Sequence, residues 1–325
     1  MKAMQCRTLG GPENLTETVL TDPVAGDGEV VVDVQAAGVN FPDGLIVAGT
    51  YQTRHEPPFV PGCEVAGTVR TIGAGVTGLT PGDRVTAFCG LGGYAEQVAV
   101  AATKVHRIPD ELDIVDAATV PVVYGTSYHG LVDRANLQPG ETLLVLGASG
   151  GVGLTAVQIG KALGARVIAA ASSPEKLQLA ADHRADELID YRAQDLAARL
   201  RELAPKGVDV VYDPVGGDAA QAAVKSLAWG GRFLTVGYAS GDIPRVGLNR
   251  LLLKEGAALG VLWGAWAGRE PEANSANMSR LFELFTAGSL RPVVSRSYPL
   301  ADASAALAAV MGRAALGKIA LRIEE

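Results

Sequence analysis

The strongest chemical signal in the sequence is the stretch 143–153, LLVLGASGGVG. An apolar run stops at a glycine-rich turn, and TAVQIGKALGA behind it has the apolar spacing of an amphipathic helix. A second β-branched strand, Arg166–Ala170, follows. Strand, tight turn, helix and strand within about thirty residues make a βαβ unit. The helix start then aims free N–H groups at whatever lies above the turn, a position suited to a pyrophosphate. Ala148, Gly150 and Gly153 hold the three spaced positions of a dinucleotide fingerprint, with Ala148 where glycine is usual. Gly150 lets the pyrophosphate come close to the backbone, and Gly153 lets the helix pack on the strand. Ser149, Gly151 and Val152 complete the turn.

The residues after the second strand select the dinucleotide. An NAD site places Asp or Glu there to accept hydrogen bonds from the ribose diol. This chain has Ala171, then Ser172, Ser173, Pro174, Glu175 and Lys176. Two hydroxyls and an ammonium suit a 2′-phosphate, so the expected cofactor is NADPH rather than NADH. The alternative is a helix start with Ser173 as N-cap and Lys176 in solvent.

These residues must be positioned by a larger scaffold, and 325 residues with 48% apolar content suffice for two domains. Residues 1 to about 105 read as short strands broken by Gly and Pro, which suggests an antiparallel β domain of barrel type. From about Val115 the period turns helical. Six strand candidates then alternate with helices: Thr142–Leu146, Val167–Ala170, Glu187–Asp190, Val208–Asp213, Arg232–Val236 and Ala257–Leu262. That pattern describes a doubly wound, parallel α/β sheet of Rossmann type. Beyond Pro271 come a helix, an extended SRSYPL, another helix and a last strand, KIALRI, expected to return to the first domain. The expected division is 1–120, 121–271 and 272–325. A net charge of −7 argues against nucleic acid or an anionic membrane as partner. No run is long enough to span a bilayer, and the N-terminal residues lack a signal peptide's apolar core. Three unevenly spaced cysteines suit a reducing compartment, and a cytoplasmic location is expected.

Taken in order, AAGVNFPDGLIVAGTY, PFVPGCEVAGTV, VPVVYGTSYHGL, GASGGVGLTAVQIGKALGA, VVYDPVGG, GRFLTVG and GKIALRI cover the whole chain. With these stretches it resembles the zinc-free quinone oxidoreductase (ζ-crystallin-like) branch of the medium-chain dehydrogenase/reductase superfamily. The resemblance implies a GroES-like catalytic domain followed by the Rossmann domain, and a homodimer paired through the edge strand of the parallel sheet. Many relatives use zinc to polarise a carbonyl. The three positions matching that site hold Asn40, Cys63 and Val122, and one possible ligand of three cannot hold a catalytic Zn²⁺. The lobe that carries a structural zinc in relatives is absent, so no metal is expected. Cys63 is read as a small buried residue or, alternatively, a reactive thiol.

The resemblance also implies that the segment with Asn40, Asp43 and Tyr51 lines the nicotinamide and acceptor site. Asn40 would donate its amide to the acceptor oxygen or fix the cofactor ribose; the competing reading is a turn residue. Tyr51 would donate a hydrogen bond or proton, at the position of the tyrosine donor in related enoyl thioester reductases; otherwise it is a half-buried strand-edge residue. Asp43 is expected to cap the following turn. Leu45 replaces a further family tyrosine. By resemblance Thr126 contacts the cofactor near the nicotinamide, and Tyr191 stacks near the adenine or its 2′-phosphate. Gly237 follows the fifth strand, where a loop would cross the nicotinamide ribose. His129 reads better as a satisfied core histidine than as an acid. Trp263 and Trp266 would wall the acceptor pocket or a dimer contact.

The expected activity is NADPH-dependent hydride transfer to a quinone or activated alkene, acceptors whose developing anion is delocalised and needs no Lewis acid. An enoyl or acryloyl thioester reductase of the same superfamily and a non-catalytic NADPH-binding protein are the alternatives.

Overall fold

The computed structural model describes residues 1–312 and 315–323. They group into two units: Met1–Val122 with Trp266–Thr286 and Pro292–Glu325, and Val123–Ala265 with Ala287–Arg291.

In the first unit β1 (Lys2–Cys6) pairs antiparallel with β2 (Leu15–Val19). The larger sheet uses β3 (Glu29–Val39), β4 (Glu64–Ile72), β5 (Arg84–Phe88), β6 (Gln97–Ala101) and β7 (Val105–Arg107). Runs such as EVVVDV and RVTAF form strands because β-branched side chains pack well on a pleated surface. The long β3 meets β4 and β6 on its two sides, and two register shifts against β4 bend it. Val30, Val32, Val65, Val85 and Tyr94 form its buried core, joined by Ile319 and Leu321 from the far end of the chain.

All six strands of the second unit are parallel: β8 (Thr142–Leu146), β9 (Arg166–Ala171), β10 (Glu187–Asp190), β11 (Val208–Asp213), β12 (Leu227–Thr235) and β13 (Ala257–Gly260). Their order, β10–β9–β8–β11–β12–β13, is the doubly wound one, with the chain reversing direction of travel between β8 and β11. Buried on both faces, the central strands β8 and β9 are nearly continuous apolar runs, whereas the edge strands β10 and β13 are partly exposed. The β8, β10 and β11 limits coincide with those read from the sequence. By contrast, β12 begins five residues early, at Leu227, since Gly230 takes φ +72° and lets the chain pass an irregular register against β11.

The last strands close on the first unit. There β14 (Val294–Pro299) pairs with β15 (Lys318–Arg322), which lies antiparallel to β3. The hydrogen-bonded path β14–β15–β3–β4–β5–β7 has two ends, so the barrel-type pattern folds as an open path with β6 on β3. Among the described residues no helix is long and apolar enough to cross a membrane.

Candidate functional site

The glycine turn after β8 leads into the helix Gly151–Ala162. Gly147 takes φ +61°, so the left-handed residue this turn needs stands one place before Ala148. Ala148 is therefore free to be an alanine, fully buried with its N–H on Ala170 O at 3.1 Å. A Cβ on Gly153 would run into the carbonyl oxygen of Gly147, whereas one on Gly150 would meet only that oxygen at 3.6 Å. The helix is thus pressed onto the turn at Gly153 and left open at Gly150. Gly150 caps the helix without a side-chain bond, and the first bond back to it comes from Leu154 N–H at 2.8 Å. The N–H groups of Gly151, Val152 and Gly153 precede that bond and lie at the positive end of the helix dipole. The residues present fit a pyrophosphate.

Beneath the turn lies a hydroxyl network that the sequence did not reveal. Ser127 Oγ, on the helix Val120–Tyr128, lies 2.8 Å from Thr155 Oγ1 and 2.9 Å from the Tyr212 hydroxyl, and donates to Val152 O at 2.9 Å. Thr126, half-buried, is its neighbour on that helix. His129 opens a π-helix, His129–Arg134, and its Nδ1 is 2.8 Å from Asp133 Oδ2, the satisfied buried histidine expected. Trp263 is buried against Gly125, where a Cβ would meet its indole ring. Gly237 N–H donates to Asp213 O at 3.3 Å, which holds Gly237 beside the end of β11.

At the end of β9, Ser173 caps the helix Pro174–Asp182, its hydroxyl accepting from Lys176 N–H at 3.4 Å. Lys176 Nζ donates to Ser172 Oγ at 3.3 Å. Ser173 is the cap, as one reading has it, but Lys176 is half-buried on Ser172 rather than solvated, at the place where an NAD site has a carboxylate. Tyr191 joins them, since its N–H bonds Ala171 O at 3.1 Å.

In the first unit the predicted residues gather differently. Asn40 is buried and is the N-cap of the helix Phe41–Val47. Its amide has partners inside the protein: Nδ2 donates to Glu64 Oε1 at 2.8 Å, and Oδ1 accepts from Lys318 Nζ at 2.6 Å. Lys318 also donates to Val39 O at 3.0 Å and Glu64 Oε1 at 2.9 Å, while Glu64 Oε2 accepts from Val122 N–H at 2.8 Å. The ion pair is almost wholly enclosed, with Lys318 6% and Glu64 0% exposed. Gly38 makes room for it, because a Cβ there would strike the Glu64 carboxylate. Lys318 and Glu64 were not singled out from the sequence; the available signal was a charge opening each of two runs that otherwise read as largely buried strands.

Asp43 caps the helix as expected, with Oδ2 accepting from Asn40 N–H at 2.9 Å and from the Tyr94 hydroxyl at 3.0 Å. Burial raises its pKa to about 6, against the lowering pull of those two bonds, the Lys318 charge and the Cys63 thiol. Tyr51 is half-buried in the bend after the helix, its N–H on Leu45 O at 3.2 Å. Burial raises its phenol pKa, with Cys63 and Asp43 adding to the rise. Cys63 is buried, and burial pushes its thiol pKa well up, which disfavours the thiolate form.

The residues at the zinc-ligand positions do not fit a zinc ion. Asn40 spends its amide on Glu64 and Lys318, Val122 offers only its N–H, and the Lys318 ammonium would repel a second cation. Among the described residues no three His, Cys, Asp or Glu groups converge to hold a metal.

Two family matches divide the chain: the alcohol dehydrogenase GroES-like domain over residues 26–110 and the zinc-binding dehydrogenase domain over residues 151–282. A sea anemone (Nematostella vectensis) quinone oxidoreductase-like protein 2 homolog is 37% identical, the match covering 100% of this chain and 89% of that protein. The Escherichia coli quinone oxidoreductase complexed with NADPH superposes with a TM-score of 0.91 at 31% identity, over 99% of this chain and 100% of that one. A mycobacterial protein complexed with NADPH gives the same TM-score at 34% identity, over 99% of both chains.

Proposed function

The chain belongs to the quinone oxidoreductase branch of the medium-chain dehydrogenase/reductase superfamily, and from that premise we propose that it reduces quinones or other activated alkenes with NADPH and without zinc. Its cofactor is NADPH, as in the two structural relatives. The glycine turn and the N–H groups of Gly151, Val152 and Gly153 would hold the pyrophosphate, with Ala148, Ser149 and Gly150 shaping the approach. Ser172 and Lys176 would hold the 2′-phosphate, Ser173 would shape that corner, and Tyr191 would flank it. Thr126 and Gly237 would lie toward the nicotinamide. Bound NADPH supplies a hydride.

The observation that carries the acceptor class is the Lys318 ammonium, 2.6 Å from Asn40 Oδ1, where zinc-using relatives place their metal ligands. A site built around a fully hydrogen-bonded ammonium supplies no Lewis acid. Acceptors are then limited to those that delocalise the charge a hydride brings, as quinones and α,β-unsaturated carbonyls do. Asn40 acts as a positioning residue that ties this segment to Glu64 and Lys318. The half-buried Tyr51 phenol keeps its proton and would offer a hydrogen bond or proton to the anion that forms, although burial makes it a weaker acid than usual. The exposed Leu248, Leu252 and Leu253, close in sequence to the edge strand β13, support a homodimer, and the reading places the protein in the cytoplasm.

The test is consumption of NADPH, followed by its absorbance, with 1,4-benzoquinone, 9,10-phenanthrenequinone, 2-cyclohexenone, acryloyl-CoA and crotonyl-CoA, with and without EDTA, and again with NADH. Quinone or enone turnover that prefers NADPH and ignores EDTA is expected. Loss of turnover in EDTA, or turnover of the CoA thioesters alone, would overturn the reading.

A further inference from the structure

The hydroxyls of Ser127, Thr155 and Tyr212 do more than satisfy one another. They come from the helix Val120–Tyr128, the helix Gly151–Ala162 and β11, and all three are buried. At that depth a hydroxyl needs a partner but no particular one. Yet two of the three reach a single atom: Val152 O accepts from Ser127 Oγ at 2.9 Å and from Thr155 Oγ1 at 3.0 Å. A hydroxyl carries one proton. With that of Ser127 on Val152 O, the Tyr212 hydroxyl, 2.9 Å away and with no other hydrogen-bond partner among the described residues, donates to Ser127 Oγ. Thr155 also reaches Val123 O at 3.0 Å, which ties the same turn to the helix that carries Ser127.

Val152 O matters because of the peptide it belongs to. A peptide unit joins the carbonyl of one residue to the N–H of the next, so the other end of this one is the Gly153 N–H. That N–H is among the three that precede the first helical bond back to Gly150 and are left for a pyrophosphate. Donors on the carbonyl hold the plane of the peptide and draw electron density toward its oxygen, which makes its N–H a stronger donor. The Tyr212 O–H, the Ser127 O–H and the Val152–Gly153 peptide thus form one chain of dipoles running head to tail.

We infer that Ser127 is a positioning residue of the cofactor site, with Tyr212 behind it and Thr155 beside it: it holds and polarises the Val152–Gly153 peptide so that the Gly153 N–H grips the pyrophosphate of NADPH. The inference rests on the glycine turn holding that pyrophosphate, as proposed above. The hydroxyls act through this one peptide rather than on the nucleotide itself. Their loss should therefore weaken the hold on the pyrophosphate and spare the adenine and 2′-phosphate corner at Ser172 and Lys176.

Calorimetry with NADPH and with adenosine 2′-phosphate, which has no pyrophosphate, separates the two parts of the site. Ser127→Ala should weaken NADPH about 10-fold and adenosine 2′-phosphate less than about twofold. Tyr212→Phe keeps Ser127 and should weaken NADPH about threefold. Thr155→Val should also weaken NADPH about threefold, and Thr155→Ser, which keeps the hydroxyl, should restore it. Amide NMR reads the peptide directly, with Gly153→Ala as the assignment control. In Ser127→Ala the Gly153 ¹⁵N resonance should move upfield in the cofactor-free protein, and its ¹H displacement on adding NADPH should shrink, a coupling that a hydroxyl serving only the core would not produce. Equal losses for both nucleotides in Ser127→Ala, unchanged NADPH affinity, or an unmoved Gly153 resonance overturns the inference. If Ser127→Ala fails to fold, Tyr212→Phe decides by the same three criteria. If Gly153→Ala weakens NADPH while Ser127→Ala does not, only the positioning role falls; if Gly153→Ala binds NADPH like wild type, the pyrophosphate reading falls with it.

Discussion

The two halves of the candidate machinery are built on opposite plans. The nucleotide half is made mostly of backbone, a turn whose left-handed residue is Gly147 and a helix start, with one serine–lysine side-chain pair four residues apart. The candidate acceptor half is made of side chains, buried at Asn40, Asp43, Cys63, Glu64, Tyr94 and Lys318 and half-buried at Tyr51, with the Lys318–Glu64 pair spanning 254 positions. The first plan tolerates solvent and depends on the absence of Cβ atoms. The second depends on its buried charges finding partners in a medium where an unpaired charge is expensive. Substitutions should therefore damage the second half through stability and the first through affinity.

The largest effect is expected where that contrast is sharpest. Lys318→Met strands Glu64 as an uncompensated buried charge and should cost ~3–5 kcal/mol in urea unfolding. Adding Glu64→Gln should recover a substantial part of it; a single-variant loss below about 1 kcal/mol would show that the pair is dispensable.

Asp43 gives a pH-dependent version of the same effect. Its folded pKa is raised, so its stabilising contribution is present below the unfolded value and is lost as pH rises through about 6. Ionised Asp43 costs about 3 kcal/mol. The melting temperature of Asp43→Asn relative to wild type should therefore climb between about pH 4 and about pH 7, and a constant offset would contradict it.

In the nucleotide half, Gly153→Ala pushes a methyl into Gly147 O, and NADPH affinity by calorimetry should fall about 100-fold with the fold retained. Smallest is Lys176→Ala, which should weaken NADPH about 10-fold and leave NADH binding nearly unchanged. Equal losses for both nucleotides would remove Lys176 from the 2′-phosphate site.

The same contrast explains what the sequence disclosed. Residues close in the chain left local marks: the apolar runs of β8, β10 and β11 ended where the strands end, and Ser173 stood where a cap belongs. Ala148 looked like a flaw in the fingerprint only because the positive φ falls on Gly147. Lys318 and Glu64 carried no such mark. Each sits in a strand whose pattern says buried, and its partner becomes visible only when the tail pairs with β3. Asn40, read as donating to the acceptor oxygen, fixing the cofactor ribose or sitting in a turn, is hydrogen-bonded to that pair for the same reason. The Ser127–Thr155–Tyr212 hydroxyls were missed likewise, since no local spacing links a helix, a helix start and a strand.

The most direct test of this division of labour is a single variant measured twice. Tyr51→Phe should bind NADPH within about twofold of wild type by nucleotide fluorescence, yet reduce quinone roughly 100-fold more slowly at saturating cofactor. Wild-type turnover in Tyr51→Phe, or a loss of NADPH affinity as large as the loss in kcat, would contradict the account.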